Sequence, residues 1–83
     1  MIKTNVNMSR HMPIKREMAM RITAVSDKFQ STLTLEHKGI VLNLKSMIGL
    51  LSQSIPKDGM MVLVADGADE KAALEAVLGI INE

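Results

Sequence analysis

The segment from residue 33 to residue 44 constrains the fold more than any other part of the chain. Apolar and polar side chains alternate along residues 33–36 and again along residues 40–44, and this period of two is typical of half-buried strands. Lys38-Gly39 lies between the two runs, and Gly39 can supply the positive φ that a tight hairpin turn requires. The pattern predicts two neighbouring antiparallel strands.

The residues before this hairpin predict one strand and one helix. Residues 2–8 alternate between apolar and polar, as a half-buried first strand does. Residues 9–16 follow without a clear period and contain Pro13, so we predict a loop. Residues 17–28 carry apolar side chains at helical spacing, which predicts the first helix.

The residues after the hairpin predict the remaining elements. Ser46 immediately precedes an apolar run and is a suitable N-cap for a short helix. Residues 55–59 predict a turn, residues 60–65 a buried strand, and residues 66–81 a last helix with anions at its positive end. The order β-α-β-β-α-β-α predicts an α+β fold in which helices cover one face of an antiparallel sheet. The residues expected in the core are Ile22, Val25, Leu33, Leu35, Leu42, Leu44, Val62, Val64, Leu74, Val77 and Ile81.

Composition limits the classes of function. A chain of 83 residues makes one domain, residues 1–83, and the absence of cysteine excludes disulfides and thiolate metal sites. Phe29 is the only aromatic residue and the formal net charge is +1, which argues against nucleic-acid binding. The longest apolar run is too short to span a bilayer, so a soluble cytoplasmic protein without membrane contact is expected. His11 and His37 lie far apart, so no metal site and no cofactor are predicted.

Charge is distributed unevenly along the chain. Residues 10–21 hold four cations against Glu17, whereas residues 66–83 hold five acids against Lys71. Two solvated faces of opposite sign explain this distribution, and we favour that interpretation. The alternative is a basic face that meets an acidic partner or an anion.

Two stretches carry a family resemblance. The first is Leu42-Asn43-Leu44-Lys45-Ser46-Met47-Ile48-Gly49-Leu50-Leu51-Ser52, and the second is Gly67-Ala68-Asp69-Glu70 with Ala73-Leu74. In one gapless register over essentially the whole chain, they resemble HPr, the histidine-containing phosphocarrier of the bacterial sugar phosphotransferase system. The resemblance implies an open-faced β-sandwich, in which three helices cover one face of a four-stranded antiparallel sheet.

The phosphocarrier motif of that family is not retained. The family pattern is Gly, an aliphatic residue, His, Ala, Arg, Pro, Ala, and this chain reads Pro13-Ile14-Lys15-Arg16-Glu17-Met18-Ala19. Lysine stands where the resemblance requires the phosphoryl-accepting histidine, and an ammonium has no lone pair to attack phosphorus. Glu17 replaces a cation and repels phosphate. Lys15, Arg16 and Glu17 therefore form a degenerate site, closer in logic to the Crh-type proteins, which lack the histidine.

Ser46 is the candidate regulatory residue. It resembles the serine that HPr kinase/phosphorylase phosphorylates in Gram-positive bacteria. A plain helix N-cap explains a serine at this position equally well, and the two roles are compatible because phosphate is favoured at a helix N-terminus. Both interpretations stay open at this point.

A partner-binding surface is predicted beside Ser46. The family exposes its short helix and part of the first helix to partners, which places Met20, Met47, Ile48 and Leu51 on such a surface. Met12 and Met18 would add adaptable apolar surface nearby. Core packing is the alternative for each of these side chains, and we favour the surface role.

The resulting hypothesis is an HPr-like protein that is not an enzyme, binds protein partners and is regulated through Ser46. The expected partners are HPr kinase/phosphorylase or a transcriptional regulator. One alternative is a phosphocarrier for sugar uptake with a displaced histidine, His11, although His11 lies four residues before the required position. The other alternative is a degenerate paralogue that acts only in interaction or oligomerisation.

Overall fold

The computed structural model describes residues 1–11, 14–52 and 59–83. A short 3-10 turn over Ser9–His11 follows the first strand. Residues 55–58 of the turn expected at residues 55–59, and Met12, lie outside the described residues. The strands are β1 (Ile2–Asn7), β2 (Thr32–His37), β3 (Ile40–Asn43) and β4 (Met60–Asp66), and the helices are α1 (Arg16–Ser26), α2 (Met47–Ser52) and α3 (Glu70–Ile81).

The four strands form one antiparallel sheet in the order β1-β4-β2-β3. Alternate strand residues join the helices in one apolar core, which contains Val6, Leu35, Leu42 and Leu63 from the four strands. This arrangement of three helices on a four-stranded sheet is the open-faced sandwich that the element order and the resemblance predict.

The core agrees closely with the sequence prediction. Nine of the eleven expected residues are buried, while Val25 and Val62 are half-buried. Val25 packs against the edge of the core from α1. Met8, which the alternation predicts as the end of the first strand, lies just beyond β1 but is fully buried, and its N–H donates to the Gly59 carbonyl at 2.7 Å.

Strand β4 corrects one prediction. The apolar run predicts a strand buried as a whole, but only Met61, Leu63 and Ala65 face the helices and belong to the core cluster. Successive side chains of a strand point to opposite faces, so Val62 and Val64 lie on the other side of the sheet. Within residues 1–11, 14–52 and 59–83 that side is covered by no helix.

The β2–β3 hairpin has a tighter turn than Gly39 alone implies. Both turn residues have positive φ, +43° at Lys38 and +87° at Gly39, which is the type I′ geometry that matches the twist of the flanking strands. The sequence indicated this conformation only for Gly39. Lysine rarely adopts it, and here the two paired strands hold Lys38 there.

Helix α1 is shifted from the predicted range. The periodicity predicts residues 17–28, whereas the helix runs Arg16–Ser26. The next turn is tighter than an α-helix, since the N–H of Lys28 donates to the Val25 carbonyl three residues earlier at 3.1 Å. Beyond this point the chain turns into β2.

Asp69 joins the start of α3 to the loop before β2. The sequence places this anion at the positive end of α3, but its carboxylate makes no side-chain cap to its own helix. It accepts the N–H groups of Gln30 and Ser31, each at 2.9 Å, and also the Ser31 hydroxyl. The Ser31 hydroxyl and these two amides lower the pKa of Asp69, because they bind its ionised form.

We expect Asp69→Asn to lower the melting temperature at neutral pH by roughly 5 °C, since two N–H groups lose a charged acceptor. Because the folded-state pKa is depressed, the stabilisation is complete above the ordinary aspartate pKa and is lost as pH falls through the folded pKa. Thermal melts of wild type and variant from neutral to acidic pH should therefore converge at low pH. Glu75→Gln, an exposed change on the same helix, is the matched control; an equal effect of both substitutions would contradict this role.

Candidate regulatory and partner-binding site

A compact turn between β3 and α2 positions Ser46. The side-chain oxygen of Asn43 accepts the Lys45 N–H at 2.9 Å, and the Asn43 carbonyl accepts the Ser46 N–H at 3.0 Å. The Ser46 Oγ then accepts the Gly49 N–H at 3.1 Å, as an N-cap does. The predicted capping role of Ser46 is therefore confirmed, and its side chain is half-buried.

Lys45 and Gly49 support this turn and were missed at the sequence level. The Lys45 ammonium donates to the Phe29 carbonyl at 2.8 Å, which ties the turn to the loop after α1. A Cβ on Gly49 would lie 3.3 Å from the Ser46 Oγ, so glycine leaves the capping hydroxyl its space. The glycine three residues after the cap was the available sequence signal, because the third helical residue carries the N–H that a cap accepts.

The short helix presents apolar side chains beside Ser46. Ile48 is 80% exposed, Leu51 is 46% exposed, and Met20 on α1 is 53% exposed. Helix α1 packs against α2. These three side chains form what we call the apolar patch.

Two methionines of the predicted surface are less exposed than the rest. Met47 is half-buried and packs against the core, so it presents only part of its side chain. Met18 is also half-buried against the core, which corrects the expectation that it adds free surface. The helical spacing placed Met18 away from the Ala19 face, but the side chain is long enough to reach the edge of the core.

Three exposed charged residues stand at the start of α1. Lys15 is the extended residue before the helix, and it makes no side-chain cap. Lys15, Arg16 and Glu17 are all exposed, while Ile14 just before them is buried and anchors the segment. The structure therefore places an ammonium, a guanidinium and a carboxylate together in solvent at this helix N-terminus.

His11 contacts the C-terminal end of α3. Its Nε2 lies 2.8 Å from the Ile81 carbonyl oxygen, and its side chain is half-buried. A carbonyl can only accept, so Nε2 carries the proton and donates it. The contact joins the 3-10 turn before α1 to the last turn of α3, where donors are favoured because helix carbonyls there lack partners.

Part of the basic segment meets the acidic end of the chain. Arg21 on α1 forms an ion pair with the Glu83 carboxylate, and the Arg10 guanidinium approaches the Glu83 carbonyl at 3.5 Å. Within the described residues, neither Lys15 nor Arg16 forms an ion pair of this kind. The two oppositely charged stretches of sequence are therefore in partial contact rather than on fully separate faces.

The described residues carry neither a cluster of metal ligands nor a membrane-spanning helix. In the described ranges, no group of three or more His, Asp or Glu side chains is arranged to hold a metal ion. Among the same residues, none of the helices has the length and hydropathy needed to cross a membrane.

The fold class and the site together define a family. A family model described as the PTS HPr component phosphorylation site matches residues 3–83, which is nearly the whole chain. The chain belongs to this HPr family.

Solved structures with the same fold include phosphocarriers and a catabolite-repression protein. HPr-C-His of Thermoanaerobacter tengcongensis is 23% identical, with a TM-score of 0.86 over 99% of this chain and 92% of that one. The Mycoplasma histidine-containing phosphocarrier protein is 21% identical, with a TM-score of 0.86 over 96% and 91%. Crh, the catabolite repression containing protein of Bacillus subtilis, is 29% identical, with a TM-score of 0.76 over 83% and 79%, and it forms a domain-swapped intertwined dimer.

Proposed function

We propose that this HPr-family protein is a regulatory, partner-binding module of the phosphotransferase system, and that it does not carry a phosphoryl group on histidine. The proposal makes it a cytoplasmic protein that is not an enzyme and needs no cofactor. Family membership supports the system in which it acts, and the residues of the site support the specific role.

The observation that carries the proposal is the exposed trio of Lys15, Arg16 and Glu17. A phosphocarrier needs a neutral ring nitrogen at the helix N-terminus and a cation beside the bound phosphate. Here the corresponding positions offer an ammonium without a lone pair and a carboxylate that repels phosphate. His11 lies four residues before the position of the phosphoryl-accepting histidine, and its ring is held by the Ile81 carbonyl at the last turn of α3.

The retained feature is Ser46 with its turn. Phosphorylation there would add about −1.5 to −2 charges next to the N-terminus of α2, where anions are favoured. Phosphate oxygens can accept the Gly49 N–H that the hydroxyl accepts now, so the fold can persist after modification. The expected consequence is altered partner affinity with little change in structure.

The apolar patch gives the partner a place to bind. Ile48 and Leu51 expose apolar surface on the helix that Ser46 caps, and Met47 adds its partly exposed side chain. Met20 exposes further apolar surface on α1, which packs against α2. A partner that covers this patch would lie next to the modification site. HPr kinase/phosphorylase or a transcriptional regulator is the proposed partner.

A binding titration with phosphorylated and unphosphorylated protein tests this proposal. We expect HPr kinase/phosphorylase to phosphorylate Ser46 and not the Ser46→Ala variant. Glu17→Arg is expected to raise the affinity of the phosphorylated form for the kinase by about tenfold, since the family arrangement puts this position near the serine and the substitution exchanges repulsion for attraction. The unphosphorylated form should change less.

Two results would contradict the regulatory role. If the kinase leaves Ser46 unmodified while it modifies a conventional HPr in the same assay, Ser46 is a structural cap alone. If Glu17→Arg alters both forms equally, Glu17 does not act on the phosphate. Lys71→Glu, an exposed charge reversal on α3, serves as the control for general electrostatic effects.

A further inference from the structure

The face of the sheet that no described helix covers carries an apolar strip. This outer face holds every second strand residue, opposite to the core. Val41 is 57% exposed and Met60 is 44% exposed, while Val62 is half-buried. Val64 is only 6% exposed, although no helix of the described chain covers it. The outer faces of exposed antiparallel sheets are ordinarily polar, so this strip is unusual.

The strand register gives the outer face its layout. One row across the sheet reads Asn5, Val62, Glu36 and Val41, from β1 to β3. The next row begins with Lys3, Val64 and Thr34, and ends at Asn43. Val62 and Val64 thus lie on the inner strand β4, whereas Val41 lies on the edge strand β3 and is separated from them by β2.

A shallow groove crosses part of the outer face. A groove of about 420 Å³ runs over Met60 and Val62, between Lys3 on one side and the hairpin at Lys38 and Val41 on the other. The apolar floor of this groove is the part of the face from which an occupant would exclude water.

Charges of both signs lie on the same face. Lys3 belongs to β1 and Glu36 to β2, so they stand two strands and one row apart, on opposite sides of the line between Val62 and Val64. Within the described chain they form no ion pair with each other, and the Glu36 carboxylate accepts a hydrogen bond from the Thr34 hydroxyl at 3.4 Å.

We propose that the outer face binds the outer face of a second copy of this chain, forming a symmetric dimer that does not involve the apolar patch or Ser46. The two copies would be related by a two-fold axis that lies between the two sheets and runs diagonally past the midpoint between Val62 and Val64. Rotation about this axis brings Lys3 of one copy to Glu36 of the other. Each Lys3 then meets the Glu36 of the other copy, and the valines pack between these two ion pairs. Such self-complementarity is what an isologous interface requires.

Charge complementarity selects a second copy over another kind of partner. A strongly acidic or basic partner would meet a like charge at either Glu36 or Lys3, whereas the same face turned about the two-fold axis satisfies both. The arrangement resembles a β-sandwich, in which two sheets pack face to face about 10 Å apart.

The size of the face sets the expected strength. Four strands about 4.8 Å apart and some 20 Å long offer roughly 400 Å² per copy, about half of what a stable interface buries on each partner. We therefore expect a weak dimer with a dissociation constant of about 0.1–1 mM.

Complementary charge reversals provide the test. Sedimentation equilibrium of the wild type should show self-association that depends on concentration in this range. Lys3→Glu alone and Glu36→Lys alone should each weaken self-association at least about tenfold, because like charges then oppose each other twice per dimer. An equimolar mixture of the two variants should associate within about threefold of wild type, since both ion pairs re-form in the mixed dimer.

Lys71→Glu is the control: it changes the net charge by the same amount as Lys3→Glu, but on α3, and should leave self-association unchanged. Chemical shifts of Val41 and Val62 in the wild type should also move on dilution, and this measurement needs no variant. A wild type that is monomeric across the range would overturn the proposal. So would a mixture that remains monomeric, or shifts confined to the helix side of the molecule.

Discussion

Gly59→Ala is expected to lower the free energy of unfolding by about 3 kcal/mol, close to half of the total for a domain of this size. Gly59 has a φ of +69°, a conformation that costs L-residues energy. An added Cβ would lie 2.4 Å from the Ser9 nitrogen and 2.8 Å from its Cα. These are main-chain atoms, so the clash cannot be relieved by rotating a side chain.

Thermal or urea denaturation of the variant checks this prediction, with a fall in melting temperature of roughly 15 °C expected. Gly79→Ala is the matched control, because a Cβ there meets nothing within 4 Å and alanine favours the helix. The control should gain up to about 1 kcal/mol. A Gly59→Ala variant as stable as wild type would show that Met8 and Ser9 are not held against Gly59 as described.

The second large effect concerns restored phosphoryl acceptance. Lys15→His alone should accept little phosphate from the general phosphotransferase enzyme that loads HPr, because Glu17 still repels the phosphoryl group. The double variant Lys15→His with Glu17→Arg should accept phosphate about 10–100-fold faster than Lys15→His alone. Reversing one charge beside a developing anion changes the rate of transfer by roughly that factor. Initial rates of labelling from phosphoenolpyruvate distinguish the two variants.

The matched control for this series is Lys15→His combined with Glu17→Gln. It removes the repulsion without adding a cation, so its rate should lie between those of the other two variants. Equal rates for all three would show that the charge at position 17 does not govern phosphate acceptance.

Local pattern was sufficient to predict the layers of this fold. The period of two on both sides of Gly39 predicted the hairpin, and the helical spacing of Ile22 and Val77 predicted which helix faces are buried; both are confirmed. These predictions work because burial of one face imposes a period on the sequence.

Features that depend on contacts between distant segments could not be predicted. Asp69 was expected to act on its own helix, but its carboxylate accepts from Gln30 and Ser31, some forty residues earlier. The apolar run in β4 did not reveal that Val62 faces away from the helices, because a continuous run carries no period that separates one face from the other.

At the candidate site, the sequence predicted the residue types and the structure added their surroundings. The capping role of Ser46 is confirmed, and Ile48, Leu51 and Met20 are exposed as expected. Met18 is half-buried, contrary to the prediction. Helical spacing shows the direction of a side chain but does not show that a long methionine can reach the core. The roles of these residues in partner binding and phosphorylation remain predictions.

The most direct test of the loss of phosphocarrier chemistry is a labelling experiment on the wild type. The protein is incubated with phosphoenolpyruvate and the general phosphotransferase enzyme, beside a conventional HPr as positive control, and acid-labile phosphate is measured. We predict labelling of the control and none of this protein, because Lys15 stands at the histidine position and His11 lies four residues before it. Acid-labile labelling that disappears in His11→Ala would contradict the account and identify a displaced phosphocarrier histidine.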